Sequence, residues 1–210
     1  MIHVAIADDH PIVRAGLTQI LQGDPDIAVA VEAANGAELL AHIRKEAVDV
    51  VLLDLSMPGM DGLDVLKQLK SEQPRLPVVI LTVHPEAQYA LRILRAGASG
   101  YLTKSSAPTE LVRAIRKVHR GGKYLTATLA EKIAFALDAN TDRPAHEGLS
   151  DREYQVLCLI ASGKSVSQIA AELALSVKTI STYRSRLLEK MQMKSNAELT
   201  HYAFQNGLVD

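Results

Sequence analysis

Val50-Val51-Leu52-Leu53-Asp54-Leu55-Ser56-Met57-Pro58-Gly59-Met60-Asp61-Gly62 joins an unbroken apolar run to a carboxylate and then to a turn rich in Pro and Gly. A short run that is apolar at consecutive rather than alternate positions reads as a strand buried on both faces of a parallel sheet. Ligands of open α/β sheets gather outside the carboxyl ends of such strands. Asp54 stands at that end.

The same arrangement recurs on either side. Asp8-Asp9 follows His3 to Ala7, Thr82 follows Val78 to Leu81, and Lys104 follows Gly100 to Leu102. Strands are expected near 3–7, 27–33, 49–53, 78–82 and 100–102, with helix-period segments between them, which is a βα repeat. Pro11 suits a first helical turn, and Asn35 with Glu38 reads as a capping box before Leu39, Leu40 and Ile43. The fold class is α/β: five parallel strands with helices on both faces, followed by a smaller all-α unit.

Taken singly, Asp8-Asp9 before His10-Pro11 reads equally well as a helix N-terminus, and Lys104 as a solvated lysine. Together with Asp54 and Thr82 they converge on one edge of the sheet. Three carboxylates at one point raise each other's pKa unless a cation intervenes. An all-oxygen set without Cys, and without His at metal-ligand spacing, favours Mg²⁺ over zinc. With its charge covered, Asp54 is a nucleophile toward a phosphoryl group, Lys104 neutralises a phosphoryl oxygen, and Thr82 adds a hydroxyl.

Composition fits two modest soluble domains: 210 residues, 48% hydrophobic, 22% charged, net charge −1. No run of about 18 apolar residues occurs and the N-terminus lacks a signal-type core, so a cytoplasmic protein without membrane contact is expected. Cys158, the one cysteine, sits in the apolar pattern Val156 to Ile160 and reads as a buried thiol. Gly121-Gly122 breaks the last helix of the βα unit, Thr126 to Leu137 is predicted helical, and Asp138 to Gly148 reads as exposed linker. Domain boundaries are set at 1–121, 122–147 for the linker, and 148–210.

From Leu149 the period is helical. Ser150 caps Asp151 to Ser162, Gly163 stops that helix, Ser165 with Gln168 opens a short helix to Leu173, and Ser176 caps Val177 to Met191. Ser195 with Glu198 opens a last helix that Gly207 ends. A helix, a tight turn at Ala174-Leu175 and a longer basic helix make a helix-turn-helix. Ser176 to Lys194 carries a net charge of +4. Ile180, Leu187, Leu188 and Met191 share the inward face, which leaves Thr179, Ser181, Thr182, Arg184, Ser185 and Arg186 to the DNA groove or its phosphates. Arg184 is assigned as guanine reader, and Lys164, Lys178 and Lys194 as phosphate contacts.

Asp8-Asp9, Asp54, the Met57 to Gly62 loop, Thr82, Tyr101 and Lys104 together resemble the receiver domain of bacterial two-component response regulators, over roughly residues 1 to 120. Leu149-Ser150-Asp151-Arg152-Glu153, Gly163-Lys164-Ser165, Lys178-Thr179-Ile180 and Glu189-Lys190-Met191 resemble LuxR-type output domains. The whole chain is similar to the NarL/FixJ class, and its Thr182-Tyr183-Arg184 and Glu198 to His201 stretches to the GacA/UvrY branch. It departs from the commonest pattern at Tyr183, where His is usual, and at Ser165-Val166-Ser167, where Ser-Asn-Lys is frequent.

The resemblance implies a flavodoxin-like strand order 2-1-3-4-5 and a C-terminal four-helix DNA-binding domain. It implies that Asp54 accepts phosphate from a sensor histidine kinase, and that Asp8, Asp9, Asp54 and the backbone carbonyl of Ser56 hold Mg²⁺. Thr82 and Tyr101 would form the switch pair, and the phosphorylated protein would bind double-stranded promoter DNA as a homodimer, with Ala197, Leu199 and Tyr202 in the dimer contact. Such a protein is not an enzyme: hydrolases that turn over an aspartyl phosphate carry a second acid two residues after the nucleophile, and Ser56 stands there. A second rival is a phosphorylation-independent DNA binder with a vestigial acidic pocket. His84, two after Thr82, affects the lifetime of the acyl phosphate or caps the following helix.

Overall fold

A computed structural model of the chain describes residues 1–57, 60, 62–82, 86–106, 108–126, 130–131, 144–173 and 175–209, of which 86–89, 91, 147 and 151 by backbone alone. Pro58, Gly59, Asp61, His84, Ala174, most of the helix expected over 126–137 and the middle of the linker lie outside the described residues. The chain divides into two compact units, Met1–Ala134 and Phe135–Asp210. Among the described residues no helix is long and apolar enough to cross a membrane.

In the first unit, β1 (Ile2–Ala7), β2 (Ile27–Ala33), β3 (Val50–Asp54), β4 (Val78–Thr82) and β5 (Gly100–Thr103) form one parallel sheet in the order β2-β1-β3-β4-β5. Helices α1 (Pro11–Gln22), α2 (Gly36–Ile43), α3 (Gly62–Glu72), α4 (Glu86–Arg95) and α5 (Pro108–His119) alternate with the strands. Every residue of β3 is buried, as a strand covered on both faces must be. Leu52 faces a core shared with Val4, Ile6, Val79, Leu81 and Leu102 and sealed by Leu21 of α1 and Leu111, Ile115 and Val118 of α5. On the other side α2 and α3, packed on each other, bury Leu39, Leu40, Ile43, Leu63, Leu66 and Leu69. Each such leucine contributes about 1.5–3 kcal/mol by leaving water.

The order of strand addition reverses after β2, with β2 and β3 on either side of β1, so the loops leaving β1 and β3 part from one another. That divergence opens the crevice where ligands of doubly wound sheets sit. Strands β3 and β5 run one residue further than hydropathy alone marks, because pairing continues through Asp54 with Leu81 and Thr82 with Thr103. At α2 the side chain of Asn35 accepts from the Glu38 amide at 2.9 Å, while Glu38 Oε2 accepts from Ala34, one residue before the cap. After α5, Gly121 takes a left-handed φ of 84° and Tyr124 returns to the sheet edge, bridged to Gly100. Tyr124 belongs to this unit, and the backbone amide of Tyr101 donates to its carbonyl.

The second unit opens with a 3₁₀ turn (Ala145–Gly148) and continues as α6 (Asp151–Ala161), α7 (Val166–Glu172), α8 (Val177–Lys190) and α9 (Asn196–Gln205). The side chains of Ser150, Ser165, Ser176 and Ser195 each accept from the amide three residues on; the pairing expected of Ser165 with Gln168 is a closed capping box, and Ser150 forms a second one with Glu153. A cap of this kind contributes about 1 kcal/mol. Gly163 and Gly207 supply positive φ at helix ends, whereas Gln192 adopts φ 54° after α8 without being glycine. Leu157, Ile160, Ile169, Ile180, Leu187, Met191 and Ala203 are buried, Cys158 with them, and Leu188 is half-buried. Leu199 is wholly buried as well. Its expected part in a dimer contact is therefore corrected: helical spacing puts it with Ala203 on the inner stripe of α9.

Candidate functional site: an acidic pocket and a hydroxyl-rich helix

Register brings the acids together. Ala7 pairs with Leu53, so Asp8 and Asp54 emerge side by side at the ends of β1 and β3. Leu81 lies opposite Asp54, and Leu102 opposite Leu81, which carries Thr82 and Lys104 to the same edge. Lys104 Nζ reaches Asp8 Oδ2 at 2.7 Å and Asp54 Oδ2 at 2.8 Å. The amide of Ser56 donates to Asp54 Oδ1 at 3.2 Å, and that of His10 to Asp8 Oδ1 at 2.9 Å. Arg14, one turn into α1, donates from Nη1 to the Asp8 carbonyl at 2.6 Å. Gly62 is required here, because a Cβ on it would lie 2.7 Å from the Asp54 carbonyl oxygen and 2.5 Å from Leu55 Cα. The start of α3 is thereby pressed against the end of β3.

Asp8 and Asp54 are each 1% exposed. Burial pushes the Asp54 carboxyl above the ordinary aspartate range, with the hydrogen bond from Lys104 pulling it back and the charge of Asp8 adding to the rise. Burial also works against the Lys104 ammonium, but its bonds to Asp54 and Asp8 outweigh it and hold the lysine charged. One lysine does not satisfy three carboxylates. Asp8 Oδ2 meets Lys104 Nζ at 2.7 Å, and Asp9 Oδ1 is buried without an aligned hydrogen bond, although His10 Nδ1 stands 2.7 Å from it. Donor atoms of Asp8, Asp9, His10 and Asp54 lie within 4.8 Å of one another. Oxygens short of partners in a hard-donor cluster suit a divalent cation.

Of the residues named from sequence, Asp8, Asp9, Asp54, Ser56 and Lys104 converge on this pocket, and Thr82 and Tyr101 are fully buried beside it on β4 and β5. Sequence reasoning treated His10 only as part of a helix start. The structure turns its ring onto Asp8 and Asp9, and its position directly after the acid pair was the available signal.

In the second unit the exposed side of α8 carries short hydroxyls. Ser181 donates to the Val177 carbonyl, Thr182 to Lys178 and Ser185 to Ser181, each four residues back at 2.8–3.0 Å. Their protons are used within the helix, which leaves oxygen lone pairs facing outward. Lys178 and Arg186 are exposed beside them, and Thr179 is tied to the Ser176 cap. Arg184 is half-buried, its Nε donating to Asn196 Oδ1 at 2.6 Å, so it is anchored to the start of α9. Lys164 pairs with Glu172 at 2.5 Å, and Lys194 is exposed at the other end. At the base of α6 and α8, Lys190 Nζ meets Glu153 Oε2 at 2.7 Å; Glu153 is almost wholly buried. Burial opposes ionisation of Glu153, yet the bonds from Lys190 and Ser150 outweigh it and lower its pKa. His146, in the 3₁₀ turn, bonds the Tyr202 hydroxyl through Nδ1 at 2.9 Å.

Comparison with known proteins finds a family for each unit. Residues 4–116 match the response regulator receiver domain, and residues 147–203 the bacterial regulatory proteins of the luxR family. The chain is 38% identical to the response regulator UvrY of Escherichia coli K12 over 211 residues, covering all of this chain and 97% of that protein. It is 39% identical to the response regulator GacA of Pseudomonas protegens, covering 99% of it. Among solved structures it is similar to RcsB of Salmonella enterica serovar Typhimurium bound to promoter rprA in the presence of phosphomimetic BeF3-, with TM-score 0.66, 30% identity and coverage of 96% and 97%. A parallel sheet in the order 2-1-3-4-5, an acidic pocket at its switch point and a capped helix-turn-helix thus stand in one chain that belongs to the two-component response regulators of the NarL/FixJ class, DNA-binding transcription regulators with a receiver and a LuxR-type domain.

Proposed function

We propose that this regulator is switched by phosphorylation of Asp54 from a sensor histidine kinase. Asp54 Oδ attacks the phosphorus of a phosphohistidine, the P–O bond forming as the P–N bond breaks, and the imidazole departs with a proton. Lys104, already 2.8 Å from Asp54, compensates charge on the transferred group, and Thr82 supplies a hydroxyl to it. Asp8, Asp9, Asp54 and the Ser56 carbonyl would hold Mg²⁺, which shields the like charges and lets phosphate approach. The observation that carries this reading is one lysine shared by two buried carboxylates while a third, Asp9, keeps a buried oxygen without an aligned hydrogen bond.

Filling the pocket biases the Thr82 and Tyr101 pair and releases promoter binding by the second unit, a coupling of a few kcal/mol. Thr179, Ser181, Thr182, Arg184, Ser185 and Arg186 meet the major groove and its edges, and Lys164, Lys178 and Lys194 meet phosphates. The phosphorylated protein is a homodimer on two half-sites. Ala197 and Phe204, exposed on α9, offer apolar surface to that contact, Phe204 at 54%. The domains are assigned as 1–121, 122–147 and 148–210, with Tyr124 and His146 marking where the linker is held at either end. The protein acts in the cytoplasm and does not turn over external phosphoesters, Ser56 giving its amide to Asp54 where a hydrolase has an acid.

Labelling with radioactive acetyl phosphate or phosphorylated kinase tests this. Alkali-labile label in the wild type, absent in Asp54→Asn and accompanied by tighter promoter binding, is expected. Promoter binding equal in both proteins would favour the phosphorylation-independent alternative instead.

A further inference from the structure

We propose that His10 is a ligand to the cation in this pocket, and that its nitrogen tilts the site toward Mn²⁺ and similar borderline ions relative to Mg²⁺. The inference rests on the cation reading above and goes beyond its all-oxygen donor set. His10 occupies the N-cap position of α1, with φ −89° and ψ 111°, but its side chain makes no capping hydrogen bond. Pro11 starts the helix without an amide to cap, and the ring is turned back over the acids instead.

The distances are those of ligands on a common ion. Nδ1 lies 2.7 Å from Asp9 Oδ1 and is hydrogen-bonded to Asp8 Oδ1 at 3.2 Å, so the ring and the acids are already gathered at that spacing. Neighbouring ligands of an octahedral ion with bonds of about 2.1 Å stand about 3 Å apart. The short approach to Asp9 Oδ1 is not aligned as a hydrogen bond, since that oxygen is left without one. Lys104 holds the far oxygen of Asp8, and Arg14 the Asp8 carbonyl, so the loop that presents the three residues is tied from two other directions. The ring remains 62% exposed, which lets it adjust to an arriving ion. Imidazole nitrogen adds little for Mg²⁺, which prefers oxygen and water, and more for ions later in the divalent series.

Titration calorimetry of the full chain with MgCl₂ and with MnCl₂, in one buffer, compares wild type with His10→Ala and His10→Gln. The ratio Kd(Mg)/Kd(Mn) is expected to fall about tenfold in both variants, because glutamine returns only an oxygen. Pulsed EPR of the Mn²⁺ complex is expected to show modulation from a coordinated imidazole nitrogen in the wild type, a readout that requires no variant to fold. An unchanged ratio in folded variants, or wild-type spectra without that modulation, overturns the proposal while leaving the oxygen site intact. A wild type that binds neither ion overturns the cation reading together with it.

Discussion

The acidic pocket and the outer face of α8 are both polar, but one is buried and the other is solvated. Asp8 and Asp54 are withdrawn from water in a ring of apolar strand residues and depend on Lys104 for compensation. Ser181, Thr182, Ser185 and Arg186 lie on one exposed helix side whose hydroxyls are satisfied locally. Burial makes the pocket sensitive to any charge added to it or removed from it. Exposure leaves the helix free to contact DNA with little bearing on stability. Changes in the pocket should register in folding and chemistry together, and changes on α8 in binding alone.

The largest effect is expected for Lys104→Met. Two carboxylates then share a buried site without a cation on the protein, which costs about 3 kcal/mol at neutral pH and lowers acetyl phosphate labelling by about 100-fold or more. Urea unfolding should show the deficit shrinking as pH falls and the carboxylates take up protons. A variant as stable as wild type at neutral pH would remove the contrast between the two regions.

Glu153→Ala probes a buried acid in the second unit that lacks the crowding of the pocket. Loss of the capping box and of the Lys190 bond should cost about 2 kcal/mol, read by thermal or urea denaturation of the full chain. Glu153 has a native pKa below its ordinary value, so its contribution is present above the usual glutamate range and is lost as pH falls through the lowered value. Asp54 has the opposite sign: raised by burial, it disfavours the fold as pH rises through its native value, and Asp54→Asn should raise the melting temperature at neutral pH without added cation.

On α8, Arg186→Ala should weaken operator binding by about 1–3 kcal/mol and change stability by less than about 0.5 kcal/mol. Fluorescence anisotropy at several salt concentrations, set beside a melting curve, separates the two. Equal losses in both would mean that this face is not the independent surface the exposure indicates. The smallest effect is expected for Gln192→Gly, which relieves a left-handed φ of 54° and should stabilise by about 0.5–1 kcal/mol, visible as a small rise in the denaturation midpoint.

Helix ends and strand interiors were readable along the chain because their causes are local. Each serine cap in the second unit precedes the residue whose amide it accepts by three positions, and the consecutive apolar residues of β3 announce burial on both faces. His10 was missed because its place directly after the acid pair, the one local signal, is the same for a ring turned outward as for one turned over the acids. Leu199 was misplaced because a helix of mixed polarity does not declare which stripe faces the core. The anchoring of Arg184 to Asn196 joins residues on two helices, and helical periodicity within α8 carries no trace of it.

By itself the order of residues determined the alternation of strands and helices, the succession of an α/β unit and an all-α unit, and the chemical types gathered at the strand ends, since periodicity, capping and burial of apolar runs act over a few residues at a time. Only the tertiary structure decided that Lys104 bridges Asp8 and Asp54, that Gly62 must admit the end of β3, and that His10 closes over Asp9. Those contacts depend on parallel register and on how one loop folds back over another, and distance along the chain does not encode either.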